Sequence, residues 1–210
     1  MKIMSISQLA IPAIKIISFA RFPDHRGYFS EPYRQSDLGG DAGLPELAGI
    51  PIVQANESIS KKGVLRGLHF QWNPFMGKLV RTLVGHMLDI VLDIRKQSPT
   101  RGQAILYDMP ARLDEDWDEW IWVPPGFAHG NLFLEETRIE YLCTGEYSPG
   151  CEAGISPFAA DIDWSLADKN LKSIFDSYQG TGAIITEKDA NGLNLEQWFS
   201  DARSDNFDVQ

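Results

Sequence analysis

An all-β fold, built as an antiparallel sandwich or jelly-roll barrel with only minor helical segments, is what this sequence predicts. Short apolar alternations separated by turn residues recur from the amino terminus to about Ser156, and many short strands at such spacing mark a sandwich or a barrel. Eighteen glycines and twelve prolines are spread through the 210 residues, which suits a turn-rich β protein better than a helical bundle. In residues 87–95, Leu88, Ile90, Leu92 and Ile94 fall on one face and Asp89, Val91, Asp93 and Arg95 on the other. A period of two with a mixed opposite face is expected of a sheet that packs one side into a core.

The elements follow in chain order. Residues 24–31 read as a turn entering a strand, and 36–47 as a short irregular turn. Residues 63–71, Gly-Val-Leu-Arg-Gly-Leu-His-Phe-Gln, read as a buried strand. Residues 79–84 and 87–95 are two strands joined by a tight turn at Gly85-His86. Further strands are expected at 103–107, 119–123, 132–134 and 138–143, and 124–130 reads as a turn that delivers His129. A short helix is expected at 193–199. One domain spanning 1–199 is expected, followed by a polar, acidic and frayed tail at 200–210.

The net charge of −10 and pI near 4.8 argue against a nucleic-acid partner, because phosphate-backbone binding needs a concentrated basic surface. Any anionic ligand must be met by a local basic pocket. Cys143 and Cys151 make neither a disulfide framework nor a zinc site, and read as free thiols in a reducing compartment. Pro12 and Lys15 interrupt the early apolar run, and no segment approaches the roughly 18 apolar residues of a membrane span. A cytoplasmic protein without membrane contact is expected.

The chemistry-bearing residues concentrate in a few places. Arg66, Gly67 and His69 lie within one strand, where burying unpaired polar groups costs several kcal/mol without a reason to be there. Strict alternation puts Arg66 and His69 on opposite faces, so Gly67 must host a bulge if both point inward. Lys78, if inward, is placed to stabilise a developing oxyanion. His69 lacks the following His and carboxylate of a metal-binding cupin, and two imidazoles without a third ligand make a poor metal site. No metal or other cofactor is expected. Tyr141 taken alone is a packed strand aromatic, and Arg26 alone a surface charge; His25 and His86 lie in apparent turns.

An ordered set of motifs goes further. Asp24-x-Arg26-Gly27-x-Phe29-x-Glu31, Gln54-x-Asn56-x-Ser58, Val64-Leu65-Arg66-Gly67-Leu68-His69-Phe70-Gln71 and Gly77-Lys78-Leu79-Val80-Arg81 occur in that order. Asp93-Ile94-Arg95-x-x-Ser98-Pro99-Thr100-x-Gly102 and Pro125-Gly126-Phe127-Ala128-His129-Gly130 follow. Together they resemble the dTDP-4-dehydrorhamnose 3,5-epimerase family across roughly residues 10–190. The resemblance implies a cupin-type jelly roll, a homodimer, no metal, and a dTDP-4-keto-6-deoxyhexose substrate inverted at C3 and C5 through an enolate. It implies His69 as base, Tyr141 as proton donor on the other face, Lys78 near the C4 oxygen and Asp189 as the carboxylate that orients the imidazole. Arg26, Glu31, Gln54, Asn56, Arg66, His129, Glu152 and Lys188 fall where the family grips nucleotide and sugar, some of them from a partner subunit. The sequence departs from the family at Glu146 and Asn131, where aromatics are usual, and over 156–161. Three rivals remain: an epimerase acting at C3 alone, a sugar-nucleotide-binding module that exchanges no protons, and a metal-dependent cupin enzyme.

Overall fold

Two antiparallel sheets form the body of the computed structural model, which describes residues 1–180 and 182–207. In chain order the elements are β1 (Ile3–Gln8), β2 (Lys15–Asp24), β3 (Gly27–Ser30), α1 (Gln35–Leu38), β4 (Gln54–Ser60), β5 (Leu65–Gln71), β6 (Lys78–Val84) and β7 (His86–Asp93). Then come β8 (Ala104–Pro110), β9 (Trp117–Val123), β10 (Phe127–Phe133), β11 (Thr137–Cys143), β12 (Glu152–Gly154), α2 (Lys169–Asp176), α3 (Glu187–Ala190) and α4 (Leu195–Ser200). The larger sheet runs β1-β2-β9-β6-β11-β4 with β3 paired to β2, and the smaller runs β12-β5-β10-β7-β8. This is the expected jelly roll, with little helix.

Apolar residues collect in three layers. Between the sheets lie Ile14, Ile16, Val80, Val91, Ile121, Phe127, Phe133 and Ile139. Outside the larger sheet, Leu38, Leu44 and Leu47 pack on Phe19, Leu79, Trp120 and Trp122. Outside the smaller sheet, Leu88, Ile90, Leu92 and Ile94 are covered by Ile162, Phe175, Leu195, Trp198 and Phe207. The face of β7 expected to pack against a core does so, but its other face is buried too: Asp89, Val91 and Asp93 are at most 1 % exposed. That mixed face points between the sheets, where Val91 joins the inner layer, while the carboxy-terminal third of the chain lies over the Leu88 face as an extra layer.

Two more expectations change. The strands on either side of Gly85 do not pair; β6 belongs to the larger sheet and β7 to the smaller, so Gly85, at φ +90°, carries the chain across the sandwich. A Cβ there would sit 2.4 Å from the Glu136 carbonyl oxygen, which leaves glycine as the residue that fits. The expected frayed tail is instead packed as far as Phe207. Residues 202–207 form a 3-10 turn, and Phe207 meets Phe70 edge-on at 5.8 Å. Burying such a ring contributes about 1.5–3 kcal/mol, enough to hold a short polar segment in place. Residues 208–210 of that tail lie outside the described residues.

The segment 168–182 supplies α2, which the sequence reading did not assign. Asp168 caps it, its Oδ1 accepting from the amides of Asn170 and Leu171 at 2.8 and 3.1 Å, and Phe175 anchors it against Trp164 at 5.0 Å. The helix expected near 193–199 is α4, opened by a reciprocal capping box between Asn194 and Gln197.

Candidate active site

A cavity of about 350 Å³ opens between the sheets, where β4, β6 and β11 face β5 and β10, with the α3 turn along its rim. The bulge postulated at Gly67 brings two of its walls together. Across β10, His69 pairs with His129 but Arg66 pairs with Asn131, so three steps along β5 match two along β10. The extra residue turns both Arg66 and His69 into the cavity, while Leu65 and Leu68 both face the outer apolar layer. Gly67, at φ +113°, lies against Gly130 so tightly that a Cβ on it would stand 2.6 Å from the Gly130 Cα. His129 is not in a turn: the turn ends at Gly126, and His129 lies in the middle of β10, buried to 6 % exposure.

His69 is half-buried, and its Nε2 lies 2.8 Å from Asp189 Oδ1. The other carboxylate oxygen of Asp189 accepts the Gly67 amide at 3.2 Å. Thr186 caps α3 by accepting the Asp189 amide, which fixes the carboxylate under the imidazole. An ionised carboxylate only accepts hydrogen bonds, so Nε2 carries the hydrogen and Nδ1 of the neutral ring keeps its lone pair.

The facing sheet brings Lys78 from β6 and Tyr141 from β11 into the same cavity. Burial pulls the Lys78 ammonium below the usual lysine range, against the opposing pull of Cys143, Asp89 and Glu152. Burial likewise pushes the Tyr141 phenol up, with Cys143 adding to the rise and Arg66 opposing it, so at neutral pH the phenol keeps its proton. Cys143, buried beside Lys78, is raised by burial, and the Asn56 amide points to its sulfur at 3.7 Å.

Deeper in, His129 Nε2 meets Asp89 Oδ2 at 2.8 Å, and Asn131 donates to the same oxygen at 3.0 Å. Asp89 is fully buried and its Oδ1 has no partner among the described residues. Sequence reasoning missed this carboxylate and also the lining residues Ser58, Asn131 and Thr186. An acid inside the apolar run 87–92 was the available signal for Asp89, and the Thr186-x-x-Asp189 cap for α3.

A second lobe, also about 350 Å³, shares His69, Lys78 and Tyr141 with the first. Gln54 and Asn56 line it because alternate residues of the edge strand β4 turn inward. Glu152 and Tyr147 close it; the Glu152 carboxylate accepts from Lys188 at 2.7 Å and from the Tyr147 hydroxyl at 3.1 Å. Burial would raise Glu152, but these two donors outweigh it and hold the carboxyl below its ordinary value. Arg66, Lys78 and Lys188 thus form the local basic pocket that a chain of net charge −10 needs for an anionic ligand.

Ten of the twelve expected site residues meet in these connected lobes. Arg26 and Glu31 do not. Arg26 sits exposed at the β2–β3 turn, paired with Asp24 at 2.6 Å, and Glu31 pairs with Arg34 and the chain's amino group. Among the described residues no three His, Cys, Asp or Glu side chains converge as metal ligands would; His69 and His129 each engage a carboxylate of their own.

The family model for dTDP-4-dehydrorhamnose 3,5-epimerase matches residues 8–197. The enzyme of that name from Salmonella typhimurium is 40 % identical over 170 residues, covering 78 % of this chain and 87 % of the relative. The one from Shigella flexneri is 34 % identical, covering 95 % of this chain and 98 % of its own. Among solved structures, a dTDP-6-deoxy-D-glucose-3,5-epimerase from Legionella pneumophila in complex with dTDP-4-keto-L-rhamnose superposes with a TM-score of 0.74 at 34 % identity, covering 91 % and 93 % of the two chains.

Proposed function

From the premise that this chain belongs to the dTDP-4-dehydrorhamnose 3,5-epimerase family, we propose that it inverts C3 and C5 of a dTDP-4-keto-6-deoxyhexose by proton removal and return. The C4 ketone acidifies the hydrogens on both neighbouring carbons, so the protein needs a base, an enolate stabiliser and an acid on the opposite face. The observation that carries the reading is the arrangement of His69, backed by Asp189, on one sheet, with Tyr141 and Lys78 on the facing sheet of the same cavity.

In this reading His69 takes the proton at Nδ1, since Asp189 holds its other nitrogen as a donor. The charge that develops on the C4 oxygen is met by the Lys78 ammonium; one such donor is worth about 2.7–4 kcal/mol in typical sites. The phenol of Tyr141, kept protonated by burial, returns a proton from the far side. Arg66 and Lys188 serve the diphosphate, with Gln54, Asn56, His129 and Glu152 holding sugar and nucleotide. General acid–base help of this kind typically contributes about 10²–10⁴ in rate.

The reading includes one catalytic domain over residues 1–199, a cytoplasmic location and a homodimer. Two free cysteines support the location, and no helix among the described residues is long and apolar enough to cross a membrane. The β2–β3 arm supports the dimer: it carries Arg26 away from its own cavity and exposes Phe22, Tyr28 and Phe29, a surface suited to a second copy. If Arg26 serves the partner's cavity, mixing Arg26→Ala with His69→Asn subunits restores about a quarter of wild-type activity, because each mixed dimer has one intact site. No recovery on mixing places Arg26 outside the partner's site.

Proton NMR of dTDP-4-keto-6-deoxyglucose incubated with the protein in deuterium oxide tests the reaction. Deuterium at both C3 and C5 is expected. Label at C3 alone would identify a single-centre enzyme, and none at either carbon would refute the reading.

A further inference from the structure

Residues 201–207 lie past the stretch that the family model matches, 8–197, and have no task in the proposed chemistry. They nevertheless pack against a loop of the site. Phe207, 1 % exposed, meets Phe70 edge-on at 5.8 Å, Phe75 edge-on at 5.5 Å and Trp198 at 6.1 Å. The Arg203 guanidinium, held by Asp201 at 2.9 Å, stands 5.8 Å from the centre of the Trp72 ring. Lys96, just past β7, pairs with Asp205 on the same segment. Trp72 and Phe75 belong to the loop 72–77 that joins β5 to β6. Phe75 stays 46 % exposed, and Phe207 is the one aromatic ring paired with it among the described residues.

That loop is a wall of the second lobe. It contributes Met76 to the lining and leads directly into Lys78. It is also joined to the loop 144–151, which carries Tyr147 on the same lobe. Gln71, a buried side chain, donates to the carbonyl oxygens of Pro74 and Glu146, both at 2.9 Å, and its own oxygen accepts the Ser148 amide at 2.8 Å. The Thr144 amide donates to the Gly77 carbonyl at 3.0 Å, and the Gly77 amide to the Thr144 hydroxyl at 2.8 Å. A Cβ on Gly145 would stand 2.6 Å from the Phe75 carbonyl oxygen, so the two loops touch without room between them. Displacing loop 72–77 therefore displaces the rim around Tyr147 with it.

We propose that residues 201–207 form a strap that fixes the width of the second lobe, with Phe207 as its positioning residue. The ring holds Phe70 and Phe75, and through them loop 72–77 and the Tyr147 rim, in the arrangement that grips the nucleotide sugar. The effect on substrate rests on the epimerase reading; the hold of Phe207 on the loop does not. A loop ordered in advance adds no ordering cost to binding, whereas a loose one must be ordered by the ligand and weakens its affinity. The reacting groups do not hang on the strap. His69 is fixed by β10, β12 and Asp189, and Lys78 by its ladder neighbours in β9 and β11. Loss of the strap is therefore a loss of affinity rather than of chemistry.

The test is Phe207→Ala, with Phe207→Leu as the variant that restores apolar bulk. The amides of Trp72 and Gly77 are hydrogen-bonded, to Cys151 and Thr144, so their hydrogen exchange, read by NMR, reports on the loop. In Phe207→Ala that exchange is expected to speed up about tenfold, as for the loss of two edge-on aromatic pairs, while the amides of β10 stay unchanged. KM for dTDP-4-keto-6-deoxyglucose is expected to rise about tenfold, with kcat within about twofold of wild type, and Phe207→Leu to recover part of both effects. Unmoved loop amides overturn the proposal, and so does an unchanged KM or a kcat that falls as far as KM rises. If Phe207→Ala does not fold, Phe75→Ala breaks the same contact from its exposed side and is read in the same way. Amide exchange needs no substrate. A wild-type protein that puts no deuterium into the sugar therefore refutes the epimerase reading, and the loop amides still judge the strap.

Discussion

Replacing Asp189 by asparagine puts the base under the sharpest stress. The native carboxylate accepts twice, from His69 Nε2 at 2.8 Å and from the Gly67 amide at 3.2 Å, with 7 % of its surface exposed. Asparagine has one acceptor oxygen and one donor group for the same two donors. If its oxygen takes the Gly67 amide, its NH₂ faces Nε2 and the imidazole must move its hydrogen to Nδ1, the atom assigned to receive the substrate proton. If its oxygen faces His69, the buried Gly67 amide is left opposite another donor. Loss of a hydrogen bond to a charged group is worth about 1.5–3 kcal/mol, which in the transition state is about 10–150-fold in kcat. Asp189→Ala has no competing donor, so its ring can keep the hydrogen on Nε2; it should exchange faster than the asparagine variant while losing about 1–3 kcal/mol of stability at the orphaned amide. Deuterium exchange at C3, followed by NMR alongside urea unfolding, separates the two effects. Exchange by Asp189→Asn within about threefold of wild type would refute the tautomer argument.

Three further outcomes are expected. Tyr141→Phe should lower formation of the inverted product about 10²-fold while leaving more of the deuterium exchange intact, and equal loss of both would remove Tyr141 as a dedicated donor. Gly67→Ala forces a side chain into a positive-φ position 2.6 Å from the Gly130 Cα, so it should cost about 2–4 kcal/mol in urea unfolding and displace His69 as well. Asp93 is pushed up by burial, but Arg95, Ser98 and Thr100 together outweigh that and hold it below the usual aspartate range. A carboxyl lowered in the folded state stabilises above its unfolded value near pH 4 and loses that contribution as pH falls through its native value. Asp93→Asn should therefore lower the unfolding free energy measured in urea at pH 7 by about 2–4 kcal/mol, and flatten the fall in stability in acid.

What was legible in the sequence followed from local pattern. Alternation located β5 to β9 and β11 within a few residues, whereas β4 was not assigned and most of β10 was read as a turn; the inward set Gln54, Asn56 and Ser58 shows the period of two only once β4 is in place as an edge strand. Alternation says nothing about which strands pair. That is why the chain 79–95 read as two neighbouring strands, although the turn at Gly85 separates them into different sheets. Nor does it say what covers a sheet. Trp164, Phe175, Trp198 and Phe207 are scattered over more than forty positions without a period, and only the folded chain brings them onto the outer face of β5, β10 and β7.

The site divides along the same line. Arg66 and His69 were readable as a pair because a glycine stood between them, and a bulge is what a glycine there permits; the observed register has that bulge. His69 and Asp189 are 120 positions apart, so proximity on the chain gives no hint of their contact, and the family resemblance alone pointed to it. Asp89 had neither aid. On the chain it is one acid on the mixed face of a strand, indistinguishable from Asp93, which faces the local Arg95-Ser98-Thr100 turn. Their difference appears only when β10 lies beside β7 and sets Asn131 opposite Asp89, with His129 two residues away. One acid is then satisfied by its own loop and serves the fold. The other is buried between the sheets, held through one oxygen by His129 in the wall of the cavity, and its second oxygen has no partner among the described residues.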